Sequence, residues 1–186
     1  MDAPSDLVLR MLRGDRTSFD DIVARYSGDV LRLCKLLLMD TEEAKDVFQE
    51  AMLRLVRLVK KNRFRSRNGS IKGFLMTTAR NLCIDRLKQR ADFRSIDEDD
   101  VFLDTALHDF RTPDRVTDET RFKFAFQNAL VQLPDAQRTV LVLHEVSGES
   151  HKQIAARLNI SGECVRSHLY LARRRLRLLL ARFDEP

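Results

Sequence analysis

From Phe122 to Leu176 apolar side chains recur with the period of an α-helix, and the pattern breaks only at Pro134, at Ser147-Gly148 and at Asn159-Ile160-Ser161. These breaks predict helices over Phe122 to Leu133, Ala136 to Val146 and His151 to Leu158, the last capped by Ser150. A further helix has Val165, Leu169, Ala172 and Leu176 as its buried stripe. A short turn between the last two helices, with the small residue Ala155 where they must approach, is helix-turn-helix spacing. On the other face of the final helix stand Glu163, Arg166, Ser167, Tyr170 and Arg174. A major groove is just wide enough to admit a helix, so such a row suits the reading of duplex DNA.

The remainder also reads as helix. Six glycines, four prolines and no tryptophan in 186 residues leave few turn formers for a sheet protein with many hairpins. Leu7, Val8, Met11 and Leu12 precede Gly14; Phe19, Ile22, Val23 and Tyr26, then Val30, Leu31, Cys34, Leu37 and Leu38, follow at helical spacing. Thr41 offers an N-cap, with Glu42 and Glu43 in the first turn. The helix behind it carries Ala44, Val47, Phe48, Ala51, Met52, Leu55, Leu58 and Val59 as a core stripe, with Asp46, Gln49, Glu50, Leu53 and Arg57 on its other face. Periodicity fails over Asn62 to Lys72, a loop rich in Ser, Asn and Gly, and a helix resumes from about Gly73 to Arg90.

Charge divides the chain. Its net charge of +5 conceals a net of −4 over residues 1–50, +11 over 51–91, −7 over 92–120 and +5 over 121–186. Two basic modules flank an acidic connector that contains Asp97, Glu98, Asp99 and Asp100, which favours polyanionic partners for the modules. The basic loop around Phe64 suits a groove that tracks phosphates and stacks an unpaired base; by composition a solvated basic loop fits it equally well. The expected architecture is all-α: two small helical domains, 1–92 and 119–186, joined by an acidic linker over 93–118, the second domain containing the helix-turn-helix.

Several function classes are disfavoured. No run approaches a membrane span, no signal h-region opens the chain, and a cytoplasmic protein without membrane insertion is expected. Cys34, Cys83 and Cys164 are far apart and form no CxxC pair, which predicts reduced, buried thiols. Cys164 and His168 stand at i, i+4 with His151 and His144 upstream, too sparse a set for a metal site, so no metal and no cofactor are assigned. There is no P-loop, no G-x-S-x-G and no HExxH, and an enzyme is not expected.

Three stretches, DTEEAKDVFQEAMLRLVR (40–57), FLMTTARNLCIDRLKQR (74–90) and ALVQLPDAQRTVLVLHEVSGESHKQIAARLNISGECVRSHLYLARRRLR (129–177), resemble the bacterial extracytoplasmic-function sigma factors, the smallest of the sigma-70 type. The resemblance covers nearly the whole chain, in the family's order. It implies a transcription initiation factor whose partners are core RNA polymerase, promoter DNA and an anti-sigma factor. Asp46, Gln49, Glu50 and Leu53 would dock on the clamp helices of the largest polymerase subunit, where a solvated acidic face is the plainer alternative. Phe64, Arg65, Ser66, Arg67, Asn68 and Asn81 would capture the melted −10 element, with Arg80, Arg86 and Lys88 on phosphates. Glu163, Arg166, Ser167, Tyr170, Arg173 and Arg174 would read the −35 element or hold its backbone. The chain departs from the family pattern at Glu163-Cys164, where Gly-Thr is usual, at Leu171, where a basic residue is common, and at Phe74, often Trp. A helix-turn-helix repressor and a nucleic-acid-binding interaction protein are the rival readings.

Overall fold

The computed structural model describes residues 7, 9–11, 13, 15, 17–61, 63–64, 70–95 and 118–181, with only the backbone at 118–120. Among them the long helices are α1 (Thr17–Leu38), α2 (Thr41–Lys60), α3 (Ile71–Arg90), α4 (Asp118–Val131), α5 (Asp135–Glu145), α6 (His151–Leu158) and α7 (Gly162–Ala181). The described residues contain no strand, so the fold is all-α. The chain divides into two compact units, Met1–Gln89 and Arg90–Pro186.

In the first unit α1 and α2 pack as neighbours joined by two residues. Met39 takes a left-handed conformation (φ 54°) and its amide closes on Lys35 O, which stops α1. The cap of α2 is Asp40, not the expected Thr41: Asp40 Oδ1 accepts from the amides of Glu42 and Glu43 at 2.8 and 2.9 Å. A carboxylate satisfies two orphan amides and also complements the helix dipole, which leaves Thr41 as the first helical residue. The predicted stripe of α2 lies in the core at Ala44, Val47, Ala51, Met52, Leu55 and Val59, whereas Phe48 and Leu58 flank it half-buried. On α1, Phe19 is exposed and Ser18 takes the buried place beside it.

The third helix begins two residues before the expected Gly73, because Ser70 Oγ receives the Gly73 amide and caps the turn. It buries Ile71, Leu75, Ala79, Cys83, Ile84 and Leu87. Lys72 Nζ meets Asp29 Oδ2 on α1 at 2.5 Å, and that bond holds the carboxyl below its usual range. Cys34 and Cys83 are buried and free, as is Cys164 in the second unit.

In the second unit α5 is buried on all sides from Ala136 to Leu143, clasped by α6 and α7. Its buried Arg138 donates Nη1 to Leu133 O at 2.9 Å and pairs with Asp135. Ser150 caps α6 through a full capping box: its Oγ accepts from the Gln153 amide, and Gln153 Oε1 accepts from the Ser150 amide at 2.8 Å. Asn159 ends α6 in the left-handed region (φ 59°), and Ser161 Oγ then accepts the Cys164 amide at 3.0 Å to start α7. These caps set the angle of the turn with few residues.

Candidate nucleic-acid and polymerase interfaces

The core stripe of α7, Val165, Leu169, Ala172 and Leu176, is buried, which turns the opposite row outward. Glu163, Arg166, Tyr170, Arg173 and Arg174 are exposed and Ser167 is half-buried; Tyr170 shows 66% of its surface. Arg166, Tyr170, Arg173 and Arg174, with Leu169, Arg177 and His151, line a concave site of about 440 Å³. Arg173 Nη2 donates to Glu145 Oε1 at 2.6 Å, which pins the guanidinium and keeps the Glu145 carboxyl below its usual range. Arg166 and Arg174 make no ion pair among the described residues. A cationic row with a projecting phenol on a firmly capped helix can donate to base edges and to phosphates at once.

On α2, Asp46, Gln49 and Leu53 are exposed along one line, at i, i+3 and i+7, and Leu53 shows 50% of its surface. Glu50, in the same row, is half-buried; its Oε1 accepts Arg54 Nε at 2.8 Å, a bond that keeps the carboxyl ionised below its usual range. The arrangement is an apolar side chain framed by acid and amide, suited to a basic protein surface. At the end of the loop Phe64 packs edge-to-face on Phe74, ring centroids 5.4 Å apart, so Phe74 serves as an aromatic support. Arg65, Ser66, Arg67 and Asn68 lie outside the described residues. Asn81 and Lys88, seven apart on α3, are exposed on one line, while Arg80 is half-buried. Arg86 is half-buried too: its Nη1 donates to Glu43 O at 3.2 Å, which makes it a strut between α3 and the start of α2.

Comparison with known proteins assigns both units. Residues 22–93 match the family model of sigma-70 region 2, and residues 123–176 that of sigma-70 region 4. The RNA polymerase sigma-H factor of Pseudomonas aeruginosa is 31% identical over 172 residues, which cover 90% of this chain and 88% of that protein. The chain is a sigma factor of the extracytoplasmic-function group. The ECF sigma factor SigE of Mycolicibacterium smegmatis is 28% identical, covering 97% of this chain and 70% of that one. SigW of Bacillus subtilis is 28% identical, covering 91% and 92%.

Two residues of this sigma factor escape a reading of the recognition helix by family motif alone. His151 and Arg177 line the concave site beside Arg166 and Tyr170. For Arg177 the signal was present in the spacing, since 166, 170, 173 and 177 recur at i, i+4, i+7 and i+11. His151 has none, because it opens a different helix. Cys164, His168 and Leu171 form a third row on α7, buried and distinct from the outward one. No described helix is long and apolar enough to cross a membrane.

Proposed function

We infer that this sigma factor binds core RNA polymerase through the outer face of α2 and reads its promoters with two separate modules. As a sigma factor it directs promoter-specific initiation. Its finer division of labour rests above all on the outward row of α7, whose cations and Tyr170 project from a helix fixed at both ends of its turn. In that reading Arg166 and Ser167 address base edges of the −35 element, and Tyr170, Arg173 and Arg174 its backbone. The loop at Phe64, with Asn81, takes bases of the −10 strand once they leave the stack, and Arg80 and Lys88 take phosphates. Arg86 contributes field to that strand while it braces the helices.

Melting draws on the difference between binding single strand and binding duplex, and no chemical step is assigned to this chain. An anti-sigma factor that covered the α2 face would compete directly with polymerase. The acidic segment 93–118 serves as the linker between the modules, repelled by DNA through its charge. Run-off transcription with purified core polymerase and a promoter library tests the assignment. The sigma reading expects initiation from promoters sharing two spaced elements; a repressor confers no initiation on core enzyme.

A further inference from the structure

One polar side chain of the concave site on α7 comes from another helix. Arg166, Tyr170, Arg173, Arg174 and Arg177 all belong to α7, whereas His151 is the first residue of α6, held there by the capping box of Ser150. Its ring lies against that of His144, near the end of α5, with centroids 5.1 Å apart and planes tilted by 58°. His144 is fixed in turn, because its Nδ1–H donates to Glu149 O at 3.0 Å. His151 itself makes no hydrogen bond and no ion pair among the described residues, so its ring is placed while its nitrogens stay uncommitted. The charges around it are one-sided. Four guanidinium groups of α7 line the same site, and Lys152 follows on α6. The neighbouring carboxylates are already engaged, Glu145 on α5 by Arg173 at 2.6 Å and Glu149 in the turn by Arg157 at 3.0 Å.

We propose that His151 is a proton-taking phosphate contact of the −35 reader, binding the duplex backbone as imidazolium, so that this sigma factor grips the −35 element more tightly as pH falls. This rests on the reading of α7 as the helix that enters that element. Imidazole is the side chain whose charge changes between about pH 5 and 8. A phosphate seated among these side chains brings the counter-charge that the site lacks, and an anion beside an imidazole favours its protonated form. Formation of the complex then takes up a proton. Affinity therefore rises as pH falls through that range, and the gain is lost as pH rises. At most one proton is taken up, because a second imidazolium at His144, 5.1 Å away, is repelled by the first. A phosphate carries no sequence information, so the gain applies to every −35 sequence alike. Proton concentration thus sets how firmly the element is held and leaves the choice of bases to Arg166 and Ser167.

Fluorescence anisotropy of a labelled promoter duplex from the run-off library, with holoenzyme reconstituted from core polymerase and the full-length protein, measures affinity from about pH 6 to pH 8 at fixed ionic strength. His151→Gln keeps a polar side chain that cannot take the proton, and its ratio to wild type at each pH cancels what the polymerase itself contributes. Wild type should bind about three- to tenfold tighter than His151→Gln near pH 6 and within about twofold of it near pH 8. His151→Arg, a permanent cation, should match wild type at the acid end and bind tighter than wild type at the alkaline end. His144→Gln should follow wild type. At the acid end the fall of log affinity with log salt should be steeper for wild type than for His151→Gln by about 0.9, the release of one counterion. Superimposable curves for wild type and His151→Gln would overturn the contact. A constant ratio between them at every pH, or a pH dependence lost in His144→Gln and kept in His151→Gln, would overturn its proton. A changed base preference within the −35 element in His151→Gln would overturn the phosphate as its target. Failure of the −35 reading itself would show separately, as Arg166→Ala and Arg174→Ala binding like wild type at both ends of the range.

Discussion

The two units set their candidate readers in opposite ways. In the second, every residue of the outward row sits on one helix whose turn is fixed by Ser150, Asn159 and Ser161 and whose inner face is buried. In the first, the candidate reader of bases begins where α2 has ended, at Phe64, and its described anchor is the edge-to-face contact with Phe74. The helices of that unit hold the proposed docking row instead, on α2. The contrast fits the targets proposed for the two readers. Duplex DNA presents a rigid groove, and a helix placed accurately can match it without moving. A base that must leave the stack has no fixed position beforehand, and a loop beside an aromatic support can close around it.

The largest effect should come from the docking row. Asp46→Arg combined with Glu50→Arg reverses two charges on the exposed face of α2 and should abolish co-purification with core polymerase, while circular dichroism keeps its helical signal. Unchanged co-purification would remove α2 from the interface. Next is the core of the second unit: Leu143→Ala empties a fully buried position and should cost about 2–5 kcal/mol in that unit. The comparison expects −35 discrimination to fall while core binding through α2 persists; a loss of core binding of the same size would show that the units do not divide the work. The smallest effects concern the caps. Ser150→Ala and Asp40→Ala should each cost about 0.5–2 kcal/mol, read by chemical denaturation. Only Ser150→Ala should also weaken binding to a −35 duplex, since it alone loosens the turn that aims α7.

Much of this architecture was legible in the sequence because it is written in local signals. Pro134, Gly148 and Asn159 interrupt the periodicity where α4, α5 and α6 stop, and Ser150 is a cap by its neighbours alone. The cap of α2 was placed one residue late, at Thr41, since Asp40 and Thr41 are both good caps and only the accounting of amides decides between them. The start of α3 was missed because Ser70 was read with the loop. What the pattern could not carry is pairing across long separations. Periodicity marks positions 164, 168 and 171 as a row, but nothing local says that a carbonyl 75 residues away completes the polar part of it. Arg86 is similar: its charge reads as a phosphate ligand, and its bond to Glu43 O, 43 residues distant, is visible only in three dimensions. Buried Arg138 and Glu149 likewise owe their places to partners, Leu133 O with Asp135 and Arg157, that hydropathy does not register.

The division between a helix that reads duplex and a loop that reads single strand is tested most directly by transcribing one promoter library with wild type, Arg166→Ala and Phe64→Ala. Preference is scored separately at the two elements. Loss of a base-edge contact by Arg166 should relax preference within the −35 element by about 1–3 kcal/mol and leave the −10 preference unchanged. Phe64→Ala should alter the −10 preference and strand opening and leave the −35 preference unchanged. A shift of −10 preference by Arg166→Ala, or a −35 shift as the sole effect of Phe64→Ala, would contradict the account.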